Sequence, residues 1–233
     1  MTDLGTFKTI ETDCDLFNPS TRLLSFGGSN TGKSYMLQAL ALKHHKKFRK
    51  IVVCGAKNIL LSHPDTACKT VYHESQSDPI WDPFTNIDEI YTQSDSRGIL
   101  IFVDDLMTES CNSIVLSNIF SKGRHLKISI ILVLQSYFPQ STGRSLIPQI
   151  KNNSCVQVFF KLRNKAEMSL IAKKVECTKQ GQLFFKSLID KEVYGKRYGY
   201  ISIFLDDSCQ DTMYRTNLLD EDKSGCETVF CKS

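Results

Sequence analysis

Eight consecutive residues, Gly27-Gly28-Ser29-Asn30-Thr31-Gly32-Lys33-Ser34, carry the spacing G-x-x-x-x-G-K-[ST]. An apolar stretch precedes them and a helical pattern follows, the context this spacing needs. Glycines admit the backbone angles that close a loop around a phosphate. Successive amide N–H groups then form an anion nest, and the new helix directs its positive end at the same point. Lys33 would bring a mobile cation to the β- and γ-phosphates and Ser34 a hydroxyl ligand to Mg²⁺. Together these residues imply a nucleoside triphosphate site.

Such a site needs a carboxylate near the metal ion. Asp104 ends the apolar run ILIFV over 99–103 and is placed for that task, because ligands gather at the carboxyl ends of parallel strands. Asp105 can reach the same crevice and could orient or deprotonate the attacking water. The plainer reading is that two acids end a strand and cap the next turn, and Asp is one methylene shorter than the Glu found in many ATPases. Gln135 closes a second apolar run, ISIILVL over 128–134, so its amide should project to the γ-phosphate side. It either senses that phosphate and positions water or simply terminates a strand. Arg124, in GRHLK, is either a cation at a helix end or a finger donated to a neighbouring subunit's site. Asn153 and Lys151, ahead of the run VQVFF, are weaker candidates.

Periodicity indicates the elements that must hold these groups. Leu23 to Phe26 reads as a short buried strand entering the glycine turn. A helix follows from Lys33 to about Phe48, with apolar residues at 36, 37, 40 and 41. Ile51 to Cys54 is the second strand. Residues 55–80 show scattered turn residues and no clear element, and Pro83 to Tyr91 reads as a short helix. ILIFV is five consecutive apolar residues, the pattern of a strand buried on both faces, and ISIILVL reads as another buried strand. Between them a helix over about Ser113 to Lys122 stops at Gly123, a natural cap position. VQVFF and YISIFL, over 156–160 and 200–205, complete the strands, with a helix from Lys165 to Val175 between them. This alternation predicts an α/β fold, a mostly parallel central sheet with helices on both faces.

The chain has 233 residues, 41% hydrophobic and 23% charged, which excludes disordered and collagenous classes. No apolar run approaches the roughly 20 residues that span a bilayer. The N-terminus has neither the basic nor the apolar region of a secretion signal, so the nine cysteines are expected as reduced thiols. No C-x-x-C occurs, Cys226 and Cys231 have no nearby His, and His63, Cys68 and His73 lack a fourth ligand.

The net charge of +4 is unevenly distributed. Residues 33–57 carry seven Lys or Arg and no acid, residues 151–197 eleven against four acids, and residues 58–121 ten acids against two basic residues. Such polarity suits an anion-binding face opposed to an acidic one, although Lys43 to Lys50 also suits a solvated helix end. From Asp206 onward, seven acids against three basic residues and little periodicity predict a strandless, partly mobile tail. With no internal repeat, the expected organisation is an extension over 1–20, one nucleotide-binding domain over 21–205 and an acidic tail over 206–233.

FGGSNTGKS, LIFVDDL, GRHLKISIILVLQSYFPQS and NNSCVQVFFKLRNKAEMSLI occur in the order and approximate spacing of the poxvirus-type genome-packaging ATPases. That group is a branch of the FtsK-HerA superfamily with relatives in other large DNA viruses, virophages and Polinton-type elements. The chain resembles it from about residue 20 to 210. The resemblance implies a P-loop NTPase fold of the additional-strand type, with Gln135 on a strand inserted between those carrying the loop and Asp104. It also implies an ATP- and Mg²⁺-dependent motor that pulls double-stranded DNA into a preformed capsid as a pentameric or hexameric ring, with hydrolysis at subunit boundaries. Capsid or portal proteins would be its partners, and the host cytoplasm, the assembly site or the virion its location. Lys33 and Ser34 then match the Walker A pair, Asp104 and Asp105 the Walker B pair, Gln135 the sensor and Arg124 the finger. Asp105 departs from the Glu of the wider superfamily but is similar to the poxvirus-type branch. A DNA translocase or helicase in another transaction is the nearest alternative, and no separate DNA-binding domain is visible, so the basic segments would face the DNA.

Three other classes compete. Asn164-Lys165-Ala166-Glu167 resembles the N-K-x-D of GTPases, but Glu would displace the carboxylate that reads guanine, and DDLM lacks the glycine of a D-x-x-G switch. A nucleoside monophosphate kinase would need lid arginines, for which Arg144, Arg163 and Arg197 could serve. A non-hydrolysing P-loop protein commonly loses the Lys or the carboxylate, and both are present here.

Overall fold

The computed structural model describes residues 20–54, 70–73, 97–104, 107–139, 145–176, 178–205, 213–216 and 229–230. Their strands are β1 (Arg22–Phe26), β2 (Phe48–Cys54), β3 (Thr70–His73), β4 (Gly98–Val103), β5 (Ile128–Leu134), β6 (Val156–Phe160), β7 (Tyr200–Phe204), β8 (Met213–Arg215) and β9 (Val229–Phe230). All join one sheet in the order β3-β2-β4-β5-β1-β6-β7-β8-β9. Pairing is parallel from β3 through β6 and antiparallel from β6 to β9. β5 lies between β4 and β1, so the inserted strand is present. Register places Val103 and Leu24 opposite the same residue, Leu132, and Phe26 opposite Leu134. The strand ends that lead into Gly27, Asp104 and Gln135 therefore share one edge.

Side chains alternate between two apolar layers, as a pleated strand requires. Leu23, Leu100 and Ile131 face helix α1 (Lys33–Lys43), which contributes Met36, Leu37, Leu40 and Ala41. Leu24, Ile101 and Leu132 face the other layer. There the described helices are α2 (Met107–Asn112), α3 (Ile114–Lys122), α4 (Ile147–Asn152), α5 (Lys165–Val175) and α6 (Lys179–Ile189). Leu116, Ile119, Ile150, Ile171, Phe185 and Leu188 come from these helices into that layer. Every residue of β4 and β5 is buried, as expected of parallel strands covered on both sides. Ser113, Asn164 and Thr178 each cap the following helix by accepting a backbone N–H through the side chain.

Several expectations are corrected. The first helix ends at Lys43 rather than near Phe48, because Phe48 is fully buried and opens β2. The basic run before it forms a 3-10 turn, His45–Lys47. β3 occupies a stretch expected to hold no element, and α2, α4 and α6 were not foreseen. Gly123 is right-handed at φ −56°, and the left-handed residue is Lys127 at φ 51°. The helix expected over Pro83 to Tyr91 lies outside the described residues.

The segment past Asp206 is not strandless, since β8 and β9 extend the sheet. Tyr214 of β8 is fully buried, donates a hydrogen bond to Glu176, and lies 5.6 Å from the Phe185 ring and 5.8 Å from the Phe184 ring. Burial and the Glu176 carboxylate hold its phenol in the neutral form. Deleting a buried aromatic side chain leaves a cavity, so Tyr214→Ala should lower unfolding stability by about 3–5 kcal/mol in urea titration. A loss below about 1 kcal/mol would show that this segment does not belong to the core.

Candidate functional site

The glycine loop leaves β1 strapped to its neighbours. Gly27 N–H donates to Leu134 O at 3.2 Å, and Gly28 N–H to Lys161 O at 2.9 Å. The loop thereby hangs between the ends of β5 and β6. A Cβ on Gly27 would meet the Phe160 Cβ at 2.6 Å, so glycine is required there for close approach. Gly32 is required for its conformation, at φ +88°, and Asn30 is the loop's other left-handed residue, at φ 61°. Thr31 Oγ1 donates to Gly28 O at 2.9 Å, and the buried Lys33 ammonium donates to the same oxygen at 2.6 Å. α1 starts at Lys33 with no acid in its first turn and no side-chain cap, so its positive end is left for an anion.

Asp104 is half-buried, with its N–H donating to Cys54 O at 3.0 Å. Gln135 is exposed and follows Leu134, whose carbonyl accepts from Gly27. Lys33, Ser34, Asp104 and Gln135 thus lie at one edge of the sheet, at or just beyond the ends of their strands. Asp105 lies outside the described residues. Arg124 is not brought to this edge. It sits exposed in the 3-10 turn Gly123–Leu126 ahead of β5, its Nε donating to His125 Nε2 at 3.2 Å. The seven residues of β5 put it roughly 20 Å from its own loop at about 3.3 Å per residue. Within one chain Arg124 cannot touch a nucleotide held by Gly27 to Ser34.

Other residues neighbour the loop in the folded chain. The Arg163 Cγ lies 3.2 Å from where a Cβ on Gly28 would be, so this exposed arginine lies across the loop. A cavity of about 830 Å³ opens beside the first turn of α1, lined by Asn30, Gly32, Tyr35, Tyr198, Tyr200 and Thr216 among others. Tyr35 follows the G-K-S triplet directly, which could have suggested it. Tyr198 and Thr216 reach the cavity through the tertiary fold.

Lys151, a weak candidate by sequence, is 8% exposed. Its ammonium donates to Tyr137 O at 2.7 Å and stands 3.7 Å from the centre of the Tyr137 ring. Burial and then the Lys174 charge lower its pKa to about 8, against opposing pulls from Glu167 and Cys111. The unfolded chain keeps this proton up to its ordinary value of 10.5, so unfolding takes up a proton between about 8 and 10.5. Stability should therefore rise through that window, the penalty being complete below about pH 8. Urea unfolding of the native chain and Lys151→Met should show the native chain gaining on the variant as pH rises; a constant difference would contradict a depressed Lys151.

Residues 12–224 match the family model described as Poxvirus A32 protein. No curated protein matches the chain. Among solved structures, the genome packaging NTPase B204 from Sulfolobus turreted icosahedral virus 2 in complex with ATP-gammaS is similar with a TM-score of 0.55 and 14% identity. That match covers 86% of this chain and 97% of that one. B204 of the same virus with AMPPCP has a TM-score of 0.54 and 14% identity, over 84% and 97%. B204, the DNA-packaging ATPase from Sulfolobus Turreted Icosahedral Virus, has a TM-score of 0.54 and 16% identity, over 85% and 98%. At these identities the likeness is one of fold, that of a P-loop NTPase. No helix among the described residues is long and apolar enough to cross a membrane.

Proposed function

This chain is a P-loop ATPase of the Poxvirus A32 protein family, and we propose that it is the motor that drives viral double-stranded DNA into a capsid, working as a closed ring. The observation that carries the reading is the glycine loop held between β5 and β6 with Asp104 and Gln135 on its edge. The naming of the B204 proteins as genome-packaging or DNA-packaging enzymes supports it.

In this reading Gly27 and Gly28, their amides given to Leu134 and Lys161, anchor the loop, and the amides that follow them hold the triphosphate together with the Lys33 ammonium. The base enters the adjoining cavity, whose lining includes the aromatic side chains of Tyr35 and Tyr198. Ser34 and Asp104 suit Mg²⁺, a hard cation that takes oxygen ligands, keeps several waters and needs few protein groups. When bound it would neutralise charge on the β- and γ-oxygens. Asp105 takes a proton from the attacking water, and Gln135 contacts the γ-phosphate. Arg124 of one subunit serves the site of the next. Exposed Lys43, Lys46, Lys122 and Lys127 lie around the amino-terminal edge of the sheet and supply sequence-independent contact with DNA phosphates. A capsid or portal protein anchors the ring at the site of virion assembly.

Turnover of ATP and GTP with and without linear duplex DNA, repeated at rising salt, tests this. ATP should be preferred, duplex should stimulate turnover, and salt should abolish the stimulation. Equal use of GTP, or turnover indifferent to duplex at every salt concentration, would contradict it.

A further inference from the structure

The segment that follows Gln135 is held by one carboxylate. Glu167 Oε1 accepts from the Ser136 hydroxyl at 2.8 Å, from the Tyr137 N–H at 2.8 Å and from the Phe138 N–H at 3.0 Å. From the other side, the Lys151 ammonium donates to the Tyr137 carbonyl. Glu167 stands in the first turn of α5, where its own N–H donates to Asn164 O at 3.1 Å and Asn164 caps the helix through Ala166 N–H at 2.9 Å. The chain just before this cap is residues 161–163, whose Lys161 carbonyl accepts from Gly28 and whose Arg163 lies on Gly28. A short path therefore runs from the phosphate-binding loop through residues 161–164 to Glu167, and from Glu167 to the residues beside Gln135. The carboxylate is also committed to these three donors, which removes it as a guanine reader and leaves Asn164-Lys165-Ala166-Glu167 without a GTPase role.

We propose that Glu167 is a positioning residue for Gln135. By fixing the three residues that follow it, Glu167 holds the glutamine amide toward the γ-phosphate and ties its placement to the loop. This rests on the reading in which Gln135 contacts that phosphate. A misplacement of about 1 Å at a reacting group can cost on the order of 100-fold in rate, so Glu167→Ala should lower kcat by about 10- to 100-fold. Nucleotide affinity, read with a non-hydrolysable ATP analogue, should change little, because Glu167 touches neither the loop amides nor Lys33. Glu167→Gln keeps an acceptor oxygen in place and should restore most of the rate.

A double-mutant cycle supplies the decisive comparison. In a Gln135→Ala background, Glu167→Ala should have no further effect on kcat, since the group it positions is gone. Hydrogen exchange at the Tyr137 and Phe138 amides gives a readout independent of turnover: protection should be lost in Glu167→Ala and kept in Glu167→Gln. If Glu167→Ala does not fold, Ser136→Ala removes one of the three donors and should show a smaller loss of kcat that also disappears in the Gln135→Ala background. Additive losses, a raised KM with kcat unchanged, or undiminished amide protection would overturn the proposal. So would a Glu167→Ala defect where Gln135→Ala has none. Absence of ATP turnover in the native chain would instead overturn the functional reading itself, while the exchange experiment would still report whether the clamp exists.

Discussion

Lys33→Ala should lower ATP turnover to assay background, a loss of at least about 100-fold, or roughly 3 kcal/mol of transition-state stabilisation. The size follows from where the ammonium sits. Lys33 is 7% exposed, and its Nζ lies 2.6 Å from the Gly28 carbonyl, inside the ring of backbone that a phosphate would occupy. A cation held in a partly desolvated pocket interacts with developing negative charge far more strongly than one in bulk water. Steady-state ATPase assay of the folded variant checks this. Turnover within a factor of a few of the native chain would mean that this loop is not the catalytic phosphate site.

Arg124→Ala should be nearly as damaging in an assembled ring and harmless to nucleotide affinity. Arginine fingers contribute about 10³–10⁵ in kcat where they have been assigned. The position of Arg124 decides how the effect arises: at the amino-terminal end of β5 it is a strand's length from its own loop, so any contact with nucleotide must be made in trans. Mixing subunits tests this. In equal mixtures of Arg124→Ala and Lys33→Ala chains, half the subunits offer an intact loop and half their neighbours an arginine. About a quarter of the interfaces of a head-to-tail ring are then complete. Turnover should recover to about that fraction of the native value if sites act independently, although each variant alone is inactive. A mixture as inactive as its components, under conditions where the subunits demonstrably exchange, would assign Arg124 to the helix-end role instead.

The parts of this molecule legible from sequence are those with local causes. β4, β5 and β6 are strongly apolar runs interrupted only by Gly98, Ser129 and Gln157, and α5 has both a capping Asn164 and an apolar stripe of Met168, Ile171 and Ala172. The glycine loop is equally local, because eight consecutive residues carry all of its chemistry. β3 and β8 escaped because runs of four and three residues are too short to show a period, even though each pairs with the strand just before it in the chain. α6 escaped because Gly181 and polar residues interrupt its first turns. The Glu167 clamp joins residues 29 to 31 positions apart across two elements, and no spacing rule announces such a contact. By sequence Arg124 is either a cation at a helix end or a finger for a neighbouring site. Only the topology, which puts it at the opposite edge from the loop, turns its finger reading into a statement about neighbouring subunits.

The central claim, that ATP hydrolysis at this site moves duplex DNA, is tested most directly by displacement of a triplex-forming oligonucleotide from linear double-stranded DNA. The native chain should release the third strand in an ATP-dependent manner, with a lag that lengthens as the triplex is placed farther from the entry end. Lys33→Ala and Arg124→Ala should release none. Displacement without ATP, or vigorous ATP hydrolysis on duplex DNA with no displacement, would contradict the account.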